Sequence, residues 1–380
     1  MIVMVHVNPV SVRNRSLIVD RKFHEGMLGY CEALGAIHCL NPAIRPGQPI
    51  MDPIDVRLEE LPYRMSAIET NGDPWVCAKH EVKRVEGIIA SSDLVYGWGL
   101  SSSQIARKLG VPYILILEYD LATKLQIIWS DAKPLYRRAV RVLRQLWDYV
   151  SRDLPCVRQA AAVHCNGYPI YDEVRHPNKL LYFDSRMRSE DIAHPRGQHT
   201  PLRLIYSGRY ERMKGADDAV KVAIEALRRG LEIEMDCYGQ GSLKDEMVKL
   251  AEPHPQIRIH DAIPYPELLK RMREADVFVC CHVQGDPSCT YLEAMGSGLP
   301  IVGYANRMWR RMCKESGAGV AVPVGDIEAM VSAMPRTGSN NAVAFAAKHP
   351  FEKEWDKRVD SIGMYLGTRG KSAPSSEVAP

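Results

Sequence analysis

The sequence predicts an α/β chain made of two domains, each a parallel sheet wrapped by helices. Three observations carry this reading. Short apolar runs alternate with amphipathic helical patterns almost throughout. The length, 380 residues, suits two domains of ordinary size. A polar stretch without periodicity, 184–201, separates the two series and reads as an interdomain linker.

The apolar runs that read as strands include 2–7, 94–96, 113–117, 161–165, 202–206, 233–237, 277–281 and 300–302. The clearest helix is 217–229, with Ala219, Val220, Ala223, Ile224 and Leu227 on one face and Gly230 as its stop. The expected boundaries are 1–190 for the first domain and 191–350 for the second. A charged helix at about 351–367 carries Trp355 and Val359 on one side. The last residues, 368–380, are rich in Ser, Pro and Gly and are expected to be disordered.

Composition excludes several classes. A net charge of +3 over this length gives no concentrated basic face for nucleic acid. The apolar fraction of 46% lets each half bury a core. Ten cysteines include no Cys-x-x-Cys pair, and several lie inside apolar runs, so reduced thiols are expected rather than disulfides or zinc. The apolar start, 1–8, lacks a charged leader and a cleavage site, and no apolar run reaches the roughly 18 residues that span a bilayer. The expectation is a cytoplasmic protein, at most peripheral at the inner face of the membrane.

One stretch bears on that last point. In the helix at 134–150, Arg137, Arg138, Arg141 and Arg144 form one side, and Leu135, Ala139, Leu143, Leu146, Trp147 and Val150 the other. This pattern suits an anionic lipid surface or an anionic acceptor. The commoner reading of such a pattern is a domain helix with a solvated basic face.

The second half carries the most chemistry. The run at 202–207 ends in Gly208, and Arg209 and Lys214 follow before the next helix. Ligands of an open α/β sheet gather beyond the carboxyl ends of its strands, where two cations suit a diphosphate. Taken alone, these are also ordinary exposed cations near a turn. After the run at 277–281, the stretch Asp286-Pro287-Ser288 opens a helix with Ser288 as the expected N-cap. Free amides there make an anion site, and Glu293, further in, can accept hydrogen bonds from vicinal hydroxyls. The turns at 237–242 and 260–264 bring further backbone to the same edge, including Gly239 and Ile263.

The order and spacing of five blocks then matter: 207–215 (SGRYERMKG), 238–242 (YGQGS), 274–279 (EADVFV), 292–302 (LEAMGSGLPIV) and 317–326 (GAGVAVPVGD). Over about 120 residues they resemble the donor domain of glycosyltransferase family 4. The resemblance implies the GT-B fold: two Rossmann-like domains facing a central cleft, with a C-terminal helix crossing back to the first. It implies that Arg209 and Lys214 hold the donor diphosphate and Glu293 the ribose, within a donor set of Gly208, Gly239, Ile263, Asp286, Ser288 and Thr290. It also implies a retaining, metal-independent transfer that uses a nucleotide-sugar as co-substrate and no other cofactor. The family usually has a second glutamate eight residues before Glu293. Here that place is Gly285, with Gln284 and Asp286 beside it.

The first half is expected to bind the acceptor: a sugar, a lipid-linked sugar or a small molecule. The loop after the first strand offers Arg13 and Arg15. The run at 113–117 ends in Glu118-Tyr119-Asp120, where a carboxylate can position or deprotonate an acceptor hydroxyl; Glu118 is favoured over Asp120. Trp98 follows the preceding strand and can stack on a sugar; it also reads as a core residue. His164 and His282 close apolar runs and read as structural. Two alternatives stand: an epimerase or hydrolase of the same fold, and a catalytically silent nucleotide-sugar-binding partner.

Overall fold

The computed structural model describes the chain except for residues 14, 46, 47, 49, 51, 75, 131–133, 194–197, 286, 335–339 and 367–380, and the side chain of residue 340. In the first half the strands are β1 (Ile2–Val5), β2 (Ser11–Arg13), β3 (Ser16–Asp20), β4 (Ile37–Pro42), β5 (Pro53–Arg57), β6 (Arg64–Ile68), β7 (Leu94–Gly97), β8 (Tyr113–Leu117), β9 (Ala162–Asn166) and β10 (Lys179–Tyr182). In the second they are β11 (Leu202–Ser207), β12 (Ile233–Tyr238), β13 (Ile257–His260), β14 (Val277–Cys280), β15 (Ile301–Tyr304) and β16 (Gly319–Val322).

Two parallel sheets result. The first runs β10-β9-β8-β7-β1-β4-β6 and the second β13-β12-β11-β14-β15-β16. Both reverse direction beside their first strand, between β1 and β7 and between β11 and β14. That reversal is the switch point at which a doubly wound sheet opens a crevice for ligands. The chain has the GT-B architecture of two Rossmann-like domains across a cleft.

Strand alternation explains why each sheet is covered on both faces. In the second sheet Leu204, Tyr206, Val277 and Val279 enter one apolar cluster, while Ile205, Phe278, Cys280 and Ile301 enter the opposite one. The first sheet divides likewise, with Val3, Val5 and Val95 on one side and Ile2, Met4 and Tyr96 on the other. All ten cysteines are free thiols, as the spacing suggested.

The loop expected after the first strand is instead a hairpin. β2 and β3 pair antiparallel, and β3 pairs with β5. Leu17 and Val19 alternate into the core with no exposed surface, and this period-2 burial makes the segment a strand.

The C-terminal helix Phe351–Leu366 crosses to the first sheet. Trp355 lies over Tyr30 with ring centroids 4.0 Å apart, and Ser361 Oγ is 2.9 Å from His164 Nε2. His164, buried also against Tyr96, is held neutral, its pKa lowered to about 3 by burial first and by Arg358 second. The stretch at 184–201 connects the sheets but is anchored where described: Met187 is buried in the second core, and its carbonyl accepts from the Phe351 N–H at 2.7 Å.

Candidate active site at the second switch point

Strand register builds the first part of the site. Ser207 lies opposite Tyr238, so Gly208 and Gly239 lie side by side beyond the sheet. The Gly208 N–H donates to the Tyr238 carbonyl at 3.1 Å. A Cβ at Gly239 would stand 1.9 Å from the Gly208 carbonyl oxygen, so only glycine fits this approach. Arg209 follows, exposed, with its guanidinium 4.0 Å from Met213 Sδ. Lys214 ends the short 3-10 turn Arg212–Lys214 and is buried at 6% exposure. The two expected cations thus differ: one is exposed to solvent, the other is buried within the edge of the site.

The loop after β14 is tied to that turn, because the Val283 N–H donates to the Met213 carbonyl at 3.1 Å. The following helix spans Thr290–Gly296 with Cys289, not Ser288, at its N-cap. Ser288 has a different partner, its hydroxyl lying 3.0 Å from that of Thr290. The capping role expected of Ser288 is therefore corrected. Ile263 packs against the second core, two residues before Tyr265.

Glu293 is 2% exposed, and Arg186 lies against it, with Nη2 3.0 Å and Nε 3.1 Å from the same carboxylate oxygen. The guanidinium of Arg186 also stacks over Tyr265 at 4.1 Å. Burial opposes its charge, but Glu293 outweighs this and raises its pKa. Close by, Lys22 from the first domain meets Asp184 at 3.0 Å. Burial and then the Glu293 and Asp184 carboxylates push the Cys289 thiol up to about 12. Arg186 and Lys22 had no signal in the sequence, since one sits in an aperiodic stretch and the other on an ordinary helix face.

Gly285 has a physical account. A Cβ there would press on Arg307 Cβ at 3.0 Å and approach Pro169 Cγ at 3.5 Å. Arg307 reaches across the cleft to an ion pair with Asp120. A glutamate at 285 would have to displace that bridge. Asp286 lies outside the described residues. Gln284 is 3% exposed, and neither its amide oxygen nor its amide nitrogen has a hydrogen-bond partner.

In the first half, Asp120 is fully buried and caps the helix Leu121–Ser130, accepting from the Thr123 N–H at 2.7 Å while it pairs with Arg307. Both its oxygens are thus engaged. Glu118, two residues earlier, is half-buried and acts electrostatically on Tyr182. The Asp120–Arg307 bridge places this end of β8 at the cleft. Trp98 instead lines a cavity of about 510 Å³ whose walls all come from the first half, with Lys124 Nζ 6.0 Å from its ring centroid. Arg13 and Arg15 are exposed at the β2–β3 turn. His282 is buried against Tyr291.

Residues 201–340 match the family model for glycosyl transferases group 1. This match spans less than half of the chain. Among curated relatives, a UDP-N-acetylglucosamine–peptide N-acetylglucosaminyltransferase GtfA subunit of Streptococcus pneumoniae is 32% identical over 109 residues, 27% of this chain and 21% of that one. A D-inositol 3-phosphate glycosyltransferase of an Arthrobacter species is 25% identical over 215 residues, 54% of this chain and 51% of that one. The chain thus spans about half or less of the length of these relatives. Among solved structures, sucrose-phosphate synthase from Thermosynechococcus elongatus aligns with a TM-score of 0.66 at 13% identity, covering 97% of this chain and 99% of that one. HepE from Anabaena, in complex with UDP, aligns at 0.61 with 12% identity and coverage of 97% and 99%. The family match covers the switch point at β11 and β14. Arg186 and Lys22 lie outside it.

The helix Leu135–Asp148 also lies outside the match, and it buries none of its residues. Leu135, Tyr136, Val140, Leu143 and Trp147 are each at least 60% exposed. These positions share one side of the helix at 3.6-residue spacing. The reading as a domain helix with only its basic face solvated is therefore corrected: the apolar side is open as well. Among the described residues, no helix is long and apolar enough to cross a membrane.

Proposed function

We propose that the chain transfers a glycosyl group from a nucleoside-diphosphate sugar to a hydroxyl acceptor, with retention of configuration and without a metal ion. The observation that carries this is the convergence of Gly208, Gly239, Lys214 and Glu293 on one switch point. Lys214, with Arg209 closing from solvent, meets the diphosphate and stabilises it as it leaves. The bare backbone at Gly208 and Gly239 lets the phosphates approach. Glu293, oriented by Arg186, accepts from the ribose hydroxyls. The acceptor hydroxyl attacks on the face from which the diphosphate departs, positioned by Glu118 at the end of β8. UDP is the first nucleotide to try, because HepE is described with UDP and a relative is named for a UDP-sugar.

The exposed apolar stripe of helix Leu135–Asp148, flanked by Arg137 and Arg144, supports a second element of the reading. Its geometry suits an interfacial helix resting on an anionic membrane. The acceptor side of the enzyme then faces lipid.

A thermal-shift comparison of UDP, GDP, dTDP and ADP tests the donor reading. One nucleotide should stabilise the protein by about 2.7 kcal/mol at a hundredfold excess over its dissociation constant. No shift with any of the four would remove the proposal.

A further inference from the structure

A groove of about 590 Å³ lies between the two halves, beside the proposed diphosphate site. Leu125, Trp129 and Val142 line it from the first half, Met213 and Val283 from the second, and Gln284 completes its inner wall. Its surface is thus largely apolar, which is unlike the charged loops next to it.

Two observations say what it takes. The groove is continuous with the open apolar side of the basic helix: Val142 belongs to that helix, and Trp129, 52% exposed, stands under the guanidinium of Arg138 at 5.4 Å. At the other end sits Gln284, a buried amide with neither atom bonded. An unpaired buried amide costs free energy and is satisfied when a polar ligand group arrives. An apolar trough that joins an exposed amphipathic helix to an unpaired amide beside the proposed transfer site fits an amphiphile.

We infer that this groove binds one hydrocarbon chain of a membrane-derived acceptor, with the hydroxyl-bearing head directed to Gln284. The inference rests on the transferase reading and adds the acceptor's class. The chain lies along Leu125, Trp129, Val142 and Met213, so the head enters the cleft beside Met213 and Arg209. Arginines at the outer end meet the anionic surface from which the chain is drawn.

The test is calorimetry of the full chain with hexyl, octyl and decyl β-glucoside, each below its micelle concentration. Affinity should rise with chain length by up to about fourfold per methylene, the equivalent of roughly 0.8 kcal/mol per buried CH₂. Leu125→Glu should weaken decyl glucoside at least tenfold while UDP binds as before. If that variant does not fold, Val283→Glu, at a 37% exposed position, serves the same purpose. Gln284→Leu should weaken decyl glucoside several-fold and raise the melting temperature of the unliganded protein. Affinity independent of chain length, or decyl glucoside binding unchanged by both glutamates, would overturn the inference. So would self-association abolished by Leu125→Glu, which would assign the groove to a second copy. Failure of UDP binding in the unaltered chain would instead strike the transferase reading, because the glucoside series is read separately.

Discussion

Each half of the chain builds a parallel sheet with the same central strand order, yet the loops beyond the two switch points carry different chemistry. Beyond β11, β12 and β14 stand two closely apposed glycines, a buried lysine and a buried carboxylate with its arginine. Beyond β1 stands His6, held neutral with its pKa lowered to about 4 by burial first and Arg358 second, and beyond β7 stands Trp98. The first half also leaves an amphipathic helix open to solvent. A nucleoside diphosphate has one shape and fixed charge, so a site for it demands close backbone and placed cations. The first half, proposed to meet the acceptor, answers to no such fixed template.

Two tryptophans sharpen that contrast. Trp309 has no exposed surface and stacks on Tyr291 in the helix of Glu293, with centroids 5.5 Å apart. Trp309→Ala should cost about 3–5 kcal/mol of stability, measured by denaturant unfolding, and should weaken nucleotide binding with it. A smaller effect is expected at the linker. Arg186→Ala removes the cation from buried Glu293 and should cost about 1.5–3 kcal/mol, and it should weaken UDP binding more than inorganic pyrophosphate binding; equal losses for both ligands would argue against a ribose role for Glu293.

The bridge between the halves should respond to acid. Burial pushes the Glu354 carboxyl up, but His349, Lys357 and the Phe183 N–H more than reverse this and hold it below its ordinary 4.5. A depressed carboxylate stabilises the fold fully above its unfolded value, and this is lost as pH falls through the folded value. Glu354→Gln should therefore lower stability at neutral pH and flatten its dependence below about 4.5, followed by fluorescence at a series of pH values. An unchanged acid slope would show that the anchor of the C-terminal helix lies elsewhere. The smallest stability effect belongs to Trp147, 72% exposed. Trp147→Ser should alter stability by no more than about 0.5 kcal/mol, yet reduce sedimentation with phosphatidylglycerol vesicles.

What could be read in the sequence follows the same division. Gly208, Gly239, Arg209, Lys214 and Glu293, the proposed donor residues, could be singled out because the order and spacing of five blocks resemble a known donor domain. The parallel sheets were legible from runs such as 277–281. The hairpin β2–β3 was not, because its strands are short and Arg13 and Arg15 read as loop. Arg186 was hidden because its role depends on the second domain folding back onto an aperiodic segment. Asp120 looked like a free carboxylate, and only the fold brings Arg307 to it. The open side of helix Leu135–Asp148 was ambiguous for the same reason: amphipathicity gives two faces and says nothing of which one is covered.

The central claim is that the donor diphosphate lies at the β11–β14 switch point on Lys214 and Arg209. Calorimetric titration of UDP into the unaltered chain, Arg209→Ala and Lys214→Ala tests it most directly. Each substitution should weaken binding by about 1.5–3 kcal/mol, the range for hydrogen bonds to charged groups, with the larger loss at buried Lys214. Unchanged affinity in both variants would contradict the account.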